Sequence, residues 1–274
     1  MCGRARAFYA GLFSPDPTDA EACRMLWTEI PTVSVGDRDR LELPLSLWLS
    51  SQKPSIASTN KSPGMDGLTV ELYRVFWDVL GPDLVTVWAE SLESGVLPLS
   101  CRQAVLALLL KKGDLHDLLN WCPILLLSTD YKVVVKAISL QLGSMLVDMV
   151  HPDQTYTVLG RTIFDNLYFI RELLELGCRD GLSFALLSLD QEKAFDRVDH
   201  EYLLGTLWAF GFGPQFMGFL QVLYTEVECL VRLNWTLTKP EPELRLVLSA
   251  YANDVLLVVQ ELGNLVRVEA CQAV

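Results

Sequence analysis

The sequence predicts an α+β fold for this chain. Segments with the apolar spacing of helices alternate along it with short continuous apolar runs typical of buried strands. The chain has 274 residues, of which 51% are hydrophobic, and this is enough apolar material for a sizeable core. We therefore expect one or two folded domains in which helices and strands interleave.

The N-terminal part of the chain is predicted to be helical and acidic. Residues 17–48 begin at a Pro-Asp-Pro-Thr-Asp sequence, which is a helix start signal. Residues 50–67 are dense in Ser, Pro and Gly, which indicates a loop. We therefore divide the chain into a helical N-terminal extension at 1–49 and a main domain at 50–274.

The main domain is predicted to begin with a helix and a strand. Helical spacing at 68–88 is interrupted by Gly81-Pro82, where we expect a break because proline lacks the N–H group. The apolar run 105–110 ends at Lys-Lys-Gly-Asp and predicts a buried strand that enters a turn. Residues 131–150 again have helical spacing, and we expect this helix to face the core.

Two further helices are predicted on either side of an apolar strand at 184–189. The first should end at Gly177 and face the core. Its apolar positions are Ile163, Leu167, Ile170 and Leu174. The second should be capped by Asp199 and end at Gly211. Its inward-facing positions are predicted to be Leu203, Leu204, Leu207 and Trp208.

The C-terminal part reads as strands. Residues 228–235 form one apolar run, and residues 246–259 form another that Ala252-Asn253-Asp254 splits into a hairpin. These segments complete the interleaved α+β order.

The charge of the chain opposes nucleic-acid binding by its whole surface. It has 22 basic and 34 acidic residues, a net charge of −12, whereas phosphate binding needs positive charge. A local basic groove remains open to it. The residues that could form such a groove are Arg102, Lys111, Lys112, Lys132 and Arg161.

Composition also indicates the compartment. Seven scattered cysteines without a Cys-x-x-Cys pair predict reduced thiols in an intracellular protein. The N-terminus does not resemble a signal peptide, and no apolar run is long enough to span a bilayer. We expect a cytoplasmic or nuclear protein, not a secreted one, without a membrane partner.

Two aspartates stand out as candidate metal ligands. Asp190 ends the apolar strand in LLSLDQEKAFDRVDH, and Asp254 lies at the hairpin in LSAYANDVLLVV. Taken separately, Asp190 is better explained as a residue that ends a strand and Asn253-Asp254 as a turn. Taken together, carboxylates on adjacent strands are what two-metal phosphoryl transfer requires. Both explanations stay open on the residues alone.

Six ordered blocks resemble the reverse transcriptases of non-LTR (LINE-type) retrotransposons. LSLDQEKAFDRVDH and SAYAND resemble the two catalytic motifs of that family. Further blocks agree in order, namely NKSPGMDGLTVELY, LLLKKGDLHDLLNWCPILLLSTDYK, HPDQTYTVLGRTIFDN and LYTEVECLVRLNWTL. The resemblance implies a right-hand polymerase fold with fingers and palm, two Mg²⁺ ions, and an RNA template with a DNA primer as partners. It implies no particular protein partner.

The resemblance also implies roles for individual residues. Asp190 and Asp254 match catalytic metal ligands. Residues matching positions near the incoming nucleotide and primer are Phe195, Tyr251, Lys111 and Lys112, although a solvated turn is the better explanation for at least one of the lysines. Residues matching the template side of the fingers are Asn60, Gly64, Asp66, Arg161 and Asn166.

The chain departs from the family at several points. Asn253 stands where the family has a metal-binding aspartate, and Cys122 stands where it has an arginine. Only TLTKPEPELR links Trp235 to Leu246, where the family has a Gly-rich block and a palm helix. We therefore expect an incomplete palm with exposed apolar surface, and no thumb.

These departures lead to three hypotheses about function. The first is a reverse-transcriptase-like domain that is catalytically impaired or inactive, so that enzyme activity stays uncertain. The second is a non-catalytic RNA-binding module. The third is a decayed transposon remnant without function.

Overall fold

The computed structural model describes most of the chain. The described residues are 2–14, 17–45, 60–156, 158–181, 185–190, 197–233, 236–237 and 254–259. The helices are α1 Cys2–Leu12, α2 Ala20–Thr28, α3 Val35–Leu41, α4 Val70–Val75, α5 Trp77–Ser94, α6 Leu99–Arg102, α7 Thr129–Gly143, α8 Leu146–Met149, α9 Ile163–Asp180, α10 His200–Ala209 and α11 Pro214–Tyr224. The strands are β1 Gln103–Leu110, β2 Trp121–Leu126, β3 Ala185–Asp190, β4 Glu228–Leu233, β5 Thr236–Leu237 and β6 Asp254–Val259.

The strands form two sheets. The larger has the order β2-β1-β4-β5, and the smaller consists of β3 and β6. β1 pairs antiparallel with β2 across a hairpin, but it pairs parallel with β4, with Gln103 opposite Glu228. Parallel pairing requires a long crossover, and the residues between β1 and β4 supply it with helices α7 to α11. Helices combined with small sheets agree with the predicted α+β class.

The main core lies between helices. Its large, fully buried side chains come mainly from α11 and the residues just before it, including Phe212, Phe216 and Phe219. Val134 of α7 and Trp88 of α5 pack in the same cluster. Each such side chain stabilises the fold by roughly 1.5–3 kcal/mol through burial.

A second cluster joins α1 to the larger sheet. Ala5 and Tyr9 of α1, both fully buried, pack against Leu106 of β1 and Val231 of β4. The sequence predicted a helical extension at 1–49 but gave α1 no bounds of its own, because the apolar residues near the N-terminus were considered only as a possible signal peptide. Residues of the predicted N-terminal extension thus cover one face of the sheet.

A carboxylate from the N-terminal part caps α11. Glu42, just after α3, accepts hydrogen bonds from the backbone N–H groups of Gln215 and Phe216, each at 3.0 Å. The first turn of a helix has N–H groups without helical partners and a partial positive charge, so a carboxylate there is stabilising. Gly213 makes the approach possible, since a Cβ at this position would lie 2.4 Å from the Glu42 side chain.

Helix α2 is held against α10 in a similar way. The Trp27 indole donates to Thr206 Oγ1 at 3.0 Å. Gly205 leaves room for the ring, because a Cβ there would lie 2.4 Å from it. Val33 N–H donates to the Phe210 carbonyl at 2.7 Å, near the end of α10. The division at 49/50 stays a prediction. Separating the extension from the main domain would break these contacts with α10.

Several predicted element ends are confirmed. Asp199 caps α10 by accepting from Tyr202 N–H at 2.9 Å, and Gly211, with φ of +85°, follows its end. The strand at 105–110 is present within β1. The loop at 60–67 is confirmed, whereas its first part, 50–59, and the strand at 246–253 lie outside the described residues.

The predicted helix break at Gly81-Pro82 is wrong. The chain breaks earlier, at Phe76, and both residues lie within α5. Proline there removes only the hydrogen bond to the Asp78 carbonyl near the start of an 18-residue helix. Gly81 is buried against the Trp77 indole, where a Cβ would approach to 3.0 Å. Packing therefore outweighs the local cost of proline.

The prediction that the helix around Ile163–Leu174 faces the core is also wrong. Among the residues of α9 only Gly177 is buried, while Ile163 is 67% exposed and Phe169 58%. Trp208, predicted to face inward on α10, is 47% exposed. A helical apolar pattern shows that a helix has an apolar face, but not that the chain supplies a partner for it.

Candidate active site

The ends of β3 and β6 bring the two candidate metal ligands together. The strands pair antiparallel in a register that runs from Ala185 opposite Val259 to Asp190 opposite Asp254. Directly opposite residues of antiparallel strands have Cα atoms about 4.5–5.5 Å apart and lie on the same face of the sheet. The apolar pattern of both strands leads to this register, and it ends at the two aspartates.

This pair is chemically suited to a divalent cation. Carboxylate oxygens are the preferred protein ligands of Mg²⁺, which is usually held by one or two carboxylates together with substrate phosphates. Asp190 and Asp254 at one end of a sheet fit that ligand set. Within the described residues no group of three or more His, Cys, Asp or Glu side chains could hold a metal ion.

Three predicted site residues lie outside the described residues. They are Phe195, Tyr251 and Asn253, which flank the paired aspartates in sequence. Their predicted roles near the sugar, the primer end and the metal therefore stay predictions.

The predicted nucleotide-binding lysines lie at the tip of the β1–β2 hairpin. Lys111 and Lys112 follow the last pair of the ladder, Leu110 opposite Trp121, and both are exposed. Lys111 N–H closes the turn by donating to the Asn120 carbonyl at 2.8 Å. Cys122 lies opposite Leu109, in the same hairpin. A cation at position 122 would thus stand two strand positions from the lysines.

Arg161 and Asn166, predicted on the template side, bind the backbone of the chain itself. The Arg161 guanidinium donates to four carbonyls, those of Val147, Val150, His151 and Gln154, at 2.6–3.0 Å. Asn166 Nδ2 donates to the Asp153 carbonyl at 3.2 Å. Arg161 therefore holds the turn between α8 and α9, and a role toward a template stays a prediction.

Asn60, Gly64 and Asp66 lie in the loop before α4. Asn60 has a positive φ of +57°, and its N–H donates to Glu71 Oε1 at 2.8 Å, which lowers the pKa of that carboxyl. Asp66 Oδ1 accepts from Leu68 N–H at 3.1 Å. The loop is thus a set of defined turns at the described end of the Ser/Pro-rich stretch.

A partly buried polar cluster joins this loop to α7. Tyr73 donates a hydrogen bond to Asp130. Burial raises the pKa of Asp130 while the Tyr73 bond opposes that rise. Burial, with the nearby Asp130, also raises the pKa of Tyr73 and brings that of the Cys101 thiol to about 11. The sequence STDYK shows that Asp130 lies near the start of a predicted helix. It does not indicate that Tyr73 is the hydrogen-bond partner of Asp130.

The predicted basic groove is only partly available. Arg102 Nη1 is bound to Glu226 through the carboxylate at 2.5 Å and the backbone carbonyl at 3.2 Å. Arg161 is bound to carbonyls, and Lys132 Nζ donates to the Ser62 carbonyl at 2.7 Å. Lys111 and Lys112 remain as the exposed cations of the predicted set.

An α+β domain with two aspartates paired at the end of an antiparallel strand pair is typical of metal-dependent nucleotidyl transfer. The profile of the reverse transcriptase (RNA-dependent DNA polymerase) family matches residues 110–247. The chain therefore belongs to the reverse transcriptase family.

A transposon protein is the relative that supports this assignment. The chain is 52% identical over 310 residues to the Transposon TX1 uncharacterized 149 kDa protein of Xenopus laevis. The match covers 99% of this chain and 24% of the relative, so the chain spans about a quarter of that protein. These findings confirm the resemblance to reverse transcriptases of LINE-type retrotransposons. Because the match is longer than the chain, the relative carries residues in this stretch that the chain lacks.

No helix in the described ranges is long and apolar enough to cross a membrane.

Proposed function

We propose that the chain is the fingers and palm part of a LINE-type reverse transcriptase that associates with an RNA template and a DNA primer but is catalytically impaired. The observation that carries the proposal is the register of β3 with β6, in which Asp190 and Asp254 are opposite each other. Two carboxylates close together at one sheet end repel each other, and a shared dication would compensate that repulsion.

The proposed division of roles follows the positions in the chain. Asp190 and Asp254 would hold Mg²⁺, which when bound stabilises negative charge on the phosphates during nucleotidyl transfer. Phe195 and Tyr251 would contact the nucleotide sugar and the primer end. The two lysines at the hairpin tip would attract the triphosphate, since both are exposed.

Two substitutions support the proposed impairment. Asn253 would give a neutral amide oxygen where a carboxylate is needed, and the charge of the ligands determines the affinity for a hard dication. Cys122 places a thiol opposite Leu109 on the hairpin that carries Lys111, whereas an arginine would offer a charged fork of donors to phosphate. The shorter chain, compared with its relative, is consistent with a reduced palm.

A metal-binding titration with a primer-extension assay tests the proposal. We expect Asn253→Asp to raise the affinity for Mn²⁺ by about tenfold, or about 1.4 kcal/mol, because it returns one negative charge to the site. We expect the unmodified chain to extend an oligo(dT) primer on poly(rA) no faster than Asp190→Ala. Adding Cys122→Arg to Asn253→Asp should increase extension above that background.

Asn166→Asp is the matched control, because it makes the same chemical change on α9 and should leave Mn²⁺ affinity unchanged. Rapid, metal-dependent extension by the unmodified chain that disappears in Asp190→Ala would contradict the impairment. Equal Mn²⁺ affinity in Asn253→Asp and the unmodified chain would contradict the metal site.

A non-catalytic RNA-binding module is the second candidate. It is favoured by the exposed Lys111 and Lys112 and opposed by the net charge of −12. Filter binding with single-stranded RNA at low salt tests this candidate, because the module predicts binding that Lys111→Ala and Lys112→Ala weaken. Mn²⁺ binding that Asp190→Ala abolishes is expected for the first candidate alone and separates the two. Absence of binding at low salt would exclude it.

A further inference from the structure

The loop at 60–68 is held on the first turn of α7 by two side chains. Lys132 Nζ donates to the Ser62 carbonyl at 2.7 Å, and Thr129 Oγ1 donates to the Leu68 carbonyl at 2.5 Å. The two bonds lie at opposite ends of the loop. Helix α7 thus fixes both ends of a segment that ordinary turn chemistry would leave free to move.

The middle of the loop touches the same helix end. A Cβ at Gly64 would lie 2.7 Å from both Cα and N of Ser128, the residue that caps α7. Backbone atoms cannot give way as a flexible side chain can, so the position requires glycine. Gly67, with φ of +72°, supplies the turn that returns the chain toward α4.

Lys132 is more than a surface cation. It is partly buried, and burial lowers the pKa of its ammonium, whereas the nearby Asp66 opposes the shift. Asp66 belongs to the same loop and accepts a hydrogen bond from Leu68 N–H at 3.1 Å. The Lys132 ammonium group therefore donates to a carbonyl of the loop, and the Asp66 carboxylate of the same loop favours its charged form. The charge of Lys132 is thus engaged in contacts within the protein.

We propose that Lys132 is a positioning residue that presets the 60–68 loop for the RNA template and supports RNA affinity through loop order, not through direct contact with phosphate. The inference rests on the proposed function, since association with an RNA template belongs to that proposal, and Asn60, Gly64 and Asp66 of the loop match template-side positions of the family. Thr129 holds the other end of the loop, and Gly64 permits the close contact between the loop and Ser128 at the start of α7.

Hydrogen exchange of the intact chain tests the anchoring by itself. We expect Lys132→Met to raise the exchange rate of the loop amides by about tenfold. Without the Lys132 bond the loop opens more often, and the hydrogen bond from Gly67 N–H to the Gly64 carbonyl breaks with it. Lys136→Met is the matched control. Lys136 lies one turn further along α7, is exposed, and loses the same charge on substitution. Its variant should leave loop exchange unchanged, and Lys132→Arg should restore it because a guanidinium can donate to the same carbonyl.

RNA affinity, measured on the same variants by filter binding at low salt, tests whether the ordered loop supports RNA binding. We expect Lys132→Met to lose at least five times more affinity than Lys136→Met, with recovery in Lys132→Arg. Unchanged loop exchange in Lys132→Met would overturn the anchoring. Faster exchange with equal loss of affinity in both Met variants would overturn the positioning role, since charge alone would then explain the loss.

Failure of the proposed function looks different. If the unmodified chain does not bind RNA, the proposed function and the RNA role of the loop are both overturned, while the exchange rates still decide whether Lys132 anchors the loop. A thermal unfolding midpoint measured for each variant shows whether a change in exchange comes from the loop or from the whole fold.

Discussion

At the scale of single residues, the contact between Glu42 and α11 shows how a short-range constraint connects distant parts of the sequence. The carboxylate accepts two backbone N–H bonds, and Gly213 provides the space for it. Sequence reasoning could find Gly213-Pro214 as a helix start, because proline is favoured in the first turn. It could not find the cap, since the capping residue lies more than 170 positions earlier.

A double-mutant cycle on this contact gives a prediction. Glu42→Ala should lower the free energy of unfolding by about 1–2 kcal/mol, because two charge-assisted bonds to a helix start are lost. Gly213→Ala should cost a similar amount by displacing the carboxylate. In the Glu42→Ala background, however, Gly213→Ala should cost much less, since nothing remains for the new Cβ to displace. Chemical denaturation of the four proteins measures the coupling, and additive costs would show that Gly213 is constrained by something else.

At the scale of elements, the sequence predicted strands and helix caps better than it predicted which helix faces are covered. β1 and the cap at Asp199 depend on local signals, an apolar run and a short polar side chain. The parallel pairing of β1 with β4 joins residues 125 positions apart and has no local signal. The exposed apolar face of α9 is the clearest failure, because burial depends on a partner elsewhere in the chain.

The α9 face leads to a second prediction. Changing Ile163, Phe164 and Leu167 together to lysine should alter the free energy of unfolding by no more than about 0.5 kcal/mol, since all three are more than half exposed. The same change should reduce binding of a hydrophobic dye and self-association, because large exposed apolar patches promote both. Val134→Lys on α7 is the contrasting control and should unfold the chain, as Val134 is fully buried. A large loss of stability in the triple variant would show that the α9 face is covered.

At the scale of the whole molecule, the described N-terminal helices are built into the domain. α1 packs on the larger sheet, α2 on α10, and Leu41 and Leu45 enter the main core. The boundary at 49/50 was predicted from the Ser/Pro-rich composition of 50–67, and it stays a prediction. For the candidate site, the sequence indicated Asp190 and Asp254 as a possible ligand pair on adjacent strands, and the register of β3 with β6 places them opposite each other.

A truncation tests whether the N-terminal helices are needed for the fold of the rest of the chain. A chain that starts at residue 46 should lose cooperative thermal unfolding, because it removes the cap of α11 and leaves Leu106 and Val231 uncovered. Near-ultraviolet circular dichroism should show the loss of fixed aromatic packing. If the shortened chain melts cooperatively with an unchanged midpoint, residues 1–49 are a separable extension, as the sequence predicted.

The pairing of β3 with β6 also bears on how such a chain tolerates change over time. The entropic cost of closing the long connection between the strands changes by only about 0.6 kcal/mol for each twofold change in its length. The register, from Ala185 opposite Val259 to Asp190 opposite Asp254, is a property of the paired strands and does not require one particular length of the connection. Residues can therefore be gained or lost in the connection with little penalty to the pairing. The pairing of β3 with β6 can therefore be kept while the connection between the two strands changes in length.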